Sequence, residues 1–178
     1  AIQLKPDFAE AHLNLGTILR DLGNLQEAEL STRKAIQLKP DFADAHYNLG
    51  TLLINLGNLQ EAELSTRKAI QLKPDFAEAH LNLGTILRDL GNLQEAELST
   101  RKAIEINPYF AEAYSNLGTI LKDHGNLQEA EISYRKAIKI KSDYAEAHSN
   151  LGTILRDLGN LQEAELSTRK AVKINPYF

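Results

Sequence analysis

The sequence contains no cysteine, which removes disulfides, thiolate nucleophiles and cysteine–zinc sites together. It also lacks any long apolar run, so no segment reaches the length needed to span a bilayer as a helix. Positive charge is not in excess: 20 Lys and Arg stand against 24 Asp and Glu, for a net charge of −4 and a pI of about 5.8. A general affinity for phosphate backbones needs the opposite balance, which argues against non-specific nucleic-acid binding. No glycine-rich phosphate loop occurs, because each Gly-Asn pair falls at a hairpin turn. Nothing in the sequence implies a cofactor. The missing cysteine is compatible with a cytoplasmic setting. The chain starts at Ala1 rather than Met, so any original targeting segment is expected to be missing from it.

What is present is ordinary in kind, with 43% apolar and 25% charged residues, but it is arranged with a strict period. Residues 1–34 read AIQLKPDFAEAHLNLGTILRDLGNLQEAELSTRK, and residues 69–102 repeat that string unchanged. Residues 35–68 differ from it at five places, and the period stays at 34 with no insertion. Such near-identity points to recent duplication or to engineering.

Two helices are signalled in each unit. In the copy beginning at Ala9, residues Ala11, Leu15, Ile18, Leu19 and Leu22 share one helical face. Asp7 with Glu10 has the spacing of a capping box, and Gly23-Asn24 then breaks the pattern. Asn24 with Glu27 repeats the cap spacing for a second helix running to about Leu38, and Pro40 closes the unit. Helices of about fifteen residues with such short links must lie antiparallel. A lone hairpin cannot bury its apolar face, so hairpins must stack. The small residues Gly16, Ala28 and Ala35, recurring at Gly50, Ala62 and Ala69, fit close helix approach. Gly16 costs about 1 kcal/mol of helix propensity, which packing has to offset.

The pattern His12-x-x-Leu15-Gly16-x-x-Leu19, followed by Ala28, Thr32, Ala35 and Pro40, resembles the tetratricopeptide repeat. The resemblance covers essentially the whole chain as one array of units 9–42, 43–76, 77–110, 111–144 and 145–178, with residues 1–8 as the tail of a preceding second helix. It implies an all-α fold, a right-handed α-solenoid of stacked antiparallel helix pairs whose first helices line a concave surface. The departures are His12 where the family often has Trp, Leu19 where it often has Tyr, and Thr32 where it often has Phe. Phe42, Phe76, Phe110, Tyr144 and Phe178 are candidates to fill part of the lost volume. No polar capping helix follows Phe178. The expectation is a slice of a longer array, or an array whose uncapped ends pack end to end against copies of themselves.

One face of the first helix carries Glu10, Leu13, Asn14, Thr17, Arg20 and Asp21. Asn recurs on it as Asn14, Asn48, Asn82, Asn116 and Asn150, and a cation recurs as Arg20, Arg88, Lys122 and Arg156. Stacked helices lie about 8–10 Å apart and an extended peptide advances about 3.3 Å per residue, so one Asn meets a peptide backbone about every three residues. Each Asn offers both a donor and an acceptor. The row resembles the asparagine ladder in the tetratricopeptide arm of O-linked N-acetylglucosamine transferase, which grips extended polypeptide by its backbone. The alternative is that Asn merely bonds the neighbouring helix. The second unit departs from the first at Asp44, Tyr47, Leu52, Ile54 and Asn55, four of them on this face. Ile54 and Asn55 remove two charges and, with Tyr47, suggest an apolar patch able to read a peptide side chain; neutral drift explains it equally.

Other signals carry less. His12, His46, His80 and His148 recur with the period, with Tyr114 in the fourth unit, but residues about a helix diameter apart cannot share one metal ion. Packing accounts for them better, and no metal site is expected. His124 reads as a polar surface substitution. Ser31, Thr32 and the carboxylates form no nucleophile–base–orienter set, and any such set would occur five times, so no enzyme activity is expected. Arg33-Lys34 and its copies invite an RNA reading, but Glu29 four residues before Arg33 favours an intrahelical pair on a solvated face. The sequence therefore predicts a non-catalytic scaffold holding extended protein or peptide segments through its Asn row, with no nucleic-acid or membrane partner. The alternatives are a self-assembling or engineered scaffold without a foreign ligand, and the recruiting arm of a larger transferase.

Overall fold

The computed structural model describes residues 8–177, and among these it contains ten helices and no strand. They are α1 (Ala9–Asp21), α2 (Leu25–Leu38), α3 (Ala43–Asn55), α4 (Leu59–Leu72), α5 (Ala77–Asp89), α6 (Leu93–Ile106), α7 (Ala111–Asp123), α8 (Leu127–Ile140), α9 (Ala145–Asp157) and α10 (Leu161–Ile174). First helices have 13 residues and second helices 14.

The break between the two helices of a repeat is built by glycine. Gly23 has φ +80°, a left-handed conformation that costs a side-chain-bearing residue steric strain. From it the Gly23 amide donates to Arg20 O and the Asn24 amide to Leu19 O, both at 2.9 Å. This Schellman arrangement satisfies two of the last carbonyls of α1.

The capping boxes expected from sequence do not form as drawn. Asn24 does occupy the cap position of α2, but its side chain makes no capping bond, and its ψ of 64° is short of the extended value from which such a side chain reaches the third amide. At α10 the same pair closes differently, with Asn160 Nδ2 donating to Glu163 Oε2 at 2.8 Å. Phe8, not an acidic residue, is the cap residue of α1, and Asp7 lies outside the described residues.

The helices form two compact units, one ending at Leu90 and the other beginning at Gly91. In the first, hairpins α1/α2 and α3/α4 stack with α5; in the second, α6 stacks with hairpins α7/α8 and α9/α10. Within each unit the first helices approach one another, with Cα atoms within 8 Å for α1–α3, α3–α5 and α7–α9, whereas α2–α4, α6–α8 and α8–α10 do not. First helices thus crowd along one side of each unit and second helices splay along the other.

Apolar side chains fill the space between. Leu49, Leu53, Ala62 and Ile86 form one cluster of the first unit, and Leu117, Leu121, Tyr134, Leu151, Ile154 and Leu155 form that of the second. Truncating one such residue to Ala costs about 2–5 kcal/mol. Within a hairpin the helices touch where Gly16 faces Thr32, which is fully buried and donates from Oγ1 to Ala28 O at 2.8 Å. Close approach replaces the volume that Thr32 lacks. Phe42 and Phe76 instead pack at the junctions between repeats, against Leu13, Ala35 and Ala45 and against Ala69 and Ala79.

Candidate peptide-binding surface on the first helices

The Asn row sits on the crowded side. Asn14 is exposed, while Asn48, Asn82, Asn116 and Asn150 are half-buried. Asn48 Nδ2 donates to Thr17 Oγ1 at 3.2 Å, and Asn82 Nδ2 donates to Thr51 Oγ1 at 2.9 Å. Each Thr hydroxyl spends its proton on its own helix, Thr17 on Leu13 O and Thr51 on Tyr47 O, both at 3.1 Å. A hydroxyl already donating can only accept from the next helix, so the Asn must turn its amide nitrogen toward it. This relay fixes which end of Asn48 and Asn82 faces the neighbouring repeat. It leaves each with its Oδ1 and one N–H uncommitted to the threonine. Between α7 and α9 the relay differs: Thr119 Oγ1 donates to Ser115 O at 3.2 Å as its counterparts do, but meets Tyr134 Oη at 3.0 Å rather than Asn150.

Tyr47 joins this row. Its phenol is half-buried beside Thr51 and Asn82, and burial pushes its pKa up. Its ring packs on Phe76 with centroids 4.8 Å apart. Ile54 goes elsewhere, into the cluster of Leu49, Leu53 and Ile86. The single apolar patch expected of Tyr47 with Ile54 is therefore two separate packing sites. Asn55 follows Ile54 at the exposed end of α3.

The recurring cations are each turned onto the next residue. Arg20 meets Asp21 at 3.0 Å, Arg88 meets Asp89 at 2.7 Å, Arg156 meets Asp157 at 3.0 Å and Lys122 approaches Asp123 at 4.0 Å. Ile54-Asn55 thus replaces one ion pair, not two independent charges.

The histidines act as braces: Nε2 of His46, His80 and His148 lies 2.9, 3.0 and 3.1 Å from the carbonyl oxygens of Pro40, Pro74 and Ser142. Among the described residues no group of His, Asp and Glu is arranged to hold a metal ion. His124, read from sequence as a plain surface substitution, has Nδ1 3.4 Å from Glu97 Oε2 of α6. The Glu29–Arg33 pair forms at 2.7 Å, and Arg33 also reaches Glu61 of the next repeat at 2.7 Å. Arg135 does the same with Glu131 and Glu163, at 2.9 and 2.8 Å. The inter-repeat half of this network was not drawn from sequence, although the recurrence of Arg and Glu 28 residues apart carries it.

Paired helices of 13 and 14 residues, a glycine turn within each pair and a 34-residue period define an all-α helical-repeat solenoid protein. The chain belongs to the tetratricopeptide repeat family: the repeat profile matches residues 43–76, 77–110 and 145–178, and related profiles match 16–57, 118–159 and 100–132. No curated protein matches it in sequence. Among solved structures, a crystal structure of MamA is 26% identical, covers 91% of this chain and 95% of its own, and superposes with a TM-score of 0.79. YrrB, described as a tetratricopeptide repeat protein with an unusual peptide-binding site, is 25% identical over 98% of this chain and 90% of its own, with a TM-score of 0.74. The Cut9–Hcn1 assembly shares the fold at 19% identity and a TM-score of 0.89, over 98% of this chain and 35% of its own. The chain is a protein–protein interaction scaffold. No helix among the described residues is long and apolar enough to cross a membrane.

Proposed function

We propose that this chain is a non-catalytic scaffold that holds an extended peptide against its first helices, with Asn14, Asn48, Asn82, Asn116 and Asn150 gripping the peptide backbone. The observation that carries the reading is the direction of the Asn48–Thr17 and Asn82–Thr51 hydrogen bonds. A peptide backbone offers one N–H and one C=O per residue, and a side-chain amide anchored through one N–H still has an acceptor and a donor to match them. Anchoring also removes side-chain freedom before the ligand arrives, which lowers the cost of binding.

Each new hydrogen bond is worth about 0.5–1.5 kcal/mol net, so the binding is modest and tolerant of peptide sequence. Tyr47 adds a site where one repeat differs from its neighbours, and the ion-paired cations Arg20, Arg88, Lys122 and Arg156 mark the edge of the surface. YrrB's peptide-binding site supports a peptide as the class of ligand. The test replaces all five Asn by Ala and measures retention of unstructured polypeptide by circular-dichroism-verified helical protein. Loss of capture with helicity intact is expected; undiminished capture overturns the reading.

A further inference from the structure

The splay of the second helices opens a furrow on the opposite side of each unit. Because the backbones of α2 and α4 stand apart, bridged by the Arg33–Glu61 pair, the space between them is floored by Ile36 and by Leu49 of α3, and edged by Leu64, which is 69% exposed. The furrow between α8 and α10 is its counterpart three periods on, with Ile138, Leu151 and the 68% exposed Leu166. Each encloses about 450 Å³.

Each furrow carries lysines that the ion pairs of its arginine leave over. In the first, Arg33 is held by two carboxylates, Glu29 and Glu61, while Lys68 lines the furrow with no carboxylate partner among the described residues. Lys68 Nζ bonds the neutral Gln71 amide at 3.0 Å. In the second, Arg135 is held by Glu131 and Glu163, while Lys139 and Lys170 line the furrow with no carboxylate partner among the described residues. Lysines without a carboxylate partner beside an apolar floor, on a protein of net charge −4, select a ligand of opposite character.

The intervening repeat supplies a built-in contrast. Between α6 and α8, Tyr114 stands where the furrows have His46 and His148, and its ring centroid lies 5.9 Å from Nζ of Lys136, the counterpart of Lys68. Glu105 stands where the first furrow has Gln37, and pairs with Lys102 at 2.7 Å. There a ring stands beside the lysine and a carboxylate is added.

We propose that the two outer furrows are docking sites for acidic amphipathic protein segments, an aliphatic side chain entering over Leu64 or Leu166 and carboxylates meeting Lys68, or Lys139 and Lys170. The probe is a fluorescein-labelled peptide alternating Glu and Leu, which places its leucines on one face when extended; Lys/Leu and Glu/Ala peptides are the controls. Fluorescence anisotropy is read against the full chain, against His46→Tyr with His148→Tyr, and against Lys68→Glu with Lys139→Glu and Lys170→Glu. The tyrosine variant borrows a residue that the fold already carries at the equivalent position, so it keeps the test interpretable if the charge reversals unfold.

The Glu/Leu peptide is expected to bind more tightly than either control and to lose about tenfold in affinity in each folded variant, the scale of one lost anchor contact. Equal binding of the Lys/Leu peptide overturns the proposal. So does Glu/Leu binding that both furrow variants leave intact but the five-Asn variant abolishes, which places the peptide on the first helices. A fall in light-scattering mass on furrow substitution, without any peptide effect, assigns the face to a second copy and likewise overturns it.

Discussion

Asn82 Nδ2 donates to Thr51 Oγ1 at 2.9 Å, while Thr51 Oγ1 itself donates to Tyr47 O, so two helices of neighbouring repeats are tied by a bond whose polarity is set one step back. The ladder asparagines are therefore oriented by threonines that need not touch a ligand. That separates orientation from contact, and the two can be tested apart.

Replacing Thr17 and Thr51 by Val removes both acceptors while keeping shape. Each substitution is expected to cost about 1 kcal/mol of stability, because a half-buried Asn donor loses its partner. Peptide capture is expected to weaken although all five Asn remain, because the amides of Asn48 and Asn82 are freed to rotate. Urea denaturation and peptide titration on the same samples check this; capture unaffected by the double substitution separates the threonines from recognition.

The helix contact inside each hairpin makes a second prediction. A methyl at Gly118 would lie 2.8 Å from the Tyr134 ring, a fully buried side chain with nowhere to move. At Gly16 the nearest obstacle is the Thr32 hydroxyl, which can rotate at the expense of its bond to Ala28 O, and the Ala28 carbonyl oxygen at 3.1 Å needs a shift of only a few tenths of an ångström. Alanine gains about 1 kcal/mol of helix propensity at either site, but overpacking costs about 1–3 kcal/mol where the neighbour cannot yield. Gly118→Ala is thus expected to lower the denaturation midpoint more than Gly16→Ala, and the reverse order contradicts the packing.

Tyr144 links stability to alkaline pH. Burial pushes its pKa from 10.0 to about 12, with the Ser115 hydrogen bond opposing and Glu146 reinforcing the shift. A folded-state pKa above the unfolded value means that the neutral phenol's contribution is complete below pH 10 and is lost as pH rises toward 12. Tyr144→Phe removes that titration and matches Phe42, Phe76 and Phe110 at equivalent positions. Its melting temperature, compared with the parent's, is expected to rise relatively across that window, whereas a constant difference refutes the linkage.

The period, the two helices per unit and the Gly-Asn turn were legible in the sequence, because each rests on local pattern repeated five times. The Asn row was legible as a row. Its threonine partners were not, because Asn48 and Thr17 are 31 residues apart and only the stacking distance decides whether they meet. Tyr47 and Ile54 misled for a related reason: both lie on α3, but two helical turns separate them, and each packs against a different neighbour. Asn24 misled locally, since a cap position is a matter of residue type and the cap bond a matter of ψ.

The interruption at the fourth repeat gives the sharpest test of the relay. Tyr134 occupies the place held elsewhere by Thr32, Thr66, Thr100 and Thr168, and its hydroxyl takes the Thr119 Oγ1 that by analogy would receive Asn150. Tyr134→Thr should hand that acceptor back. Removing a fully buried ring ordinarily costs about 3–5 kcal/mol, but the cost depends on how far the site can collapse. Here the other hairpins demonstrate a collapsed form, with Gly against Thr, so a smaller loss of about 2 kcal/mol is expected. The Asn150 side-chain amide should then become slower to exchange with solvent by NMR, and peptide capture should strengthen at this repeat. A full-size stability loss with unchanged Asn150 exchange shows instead that Tyr134 props the hairpin open and that the relay does not extend to α9.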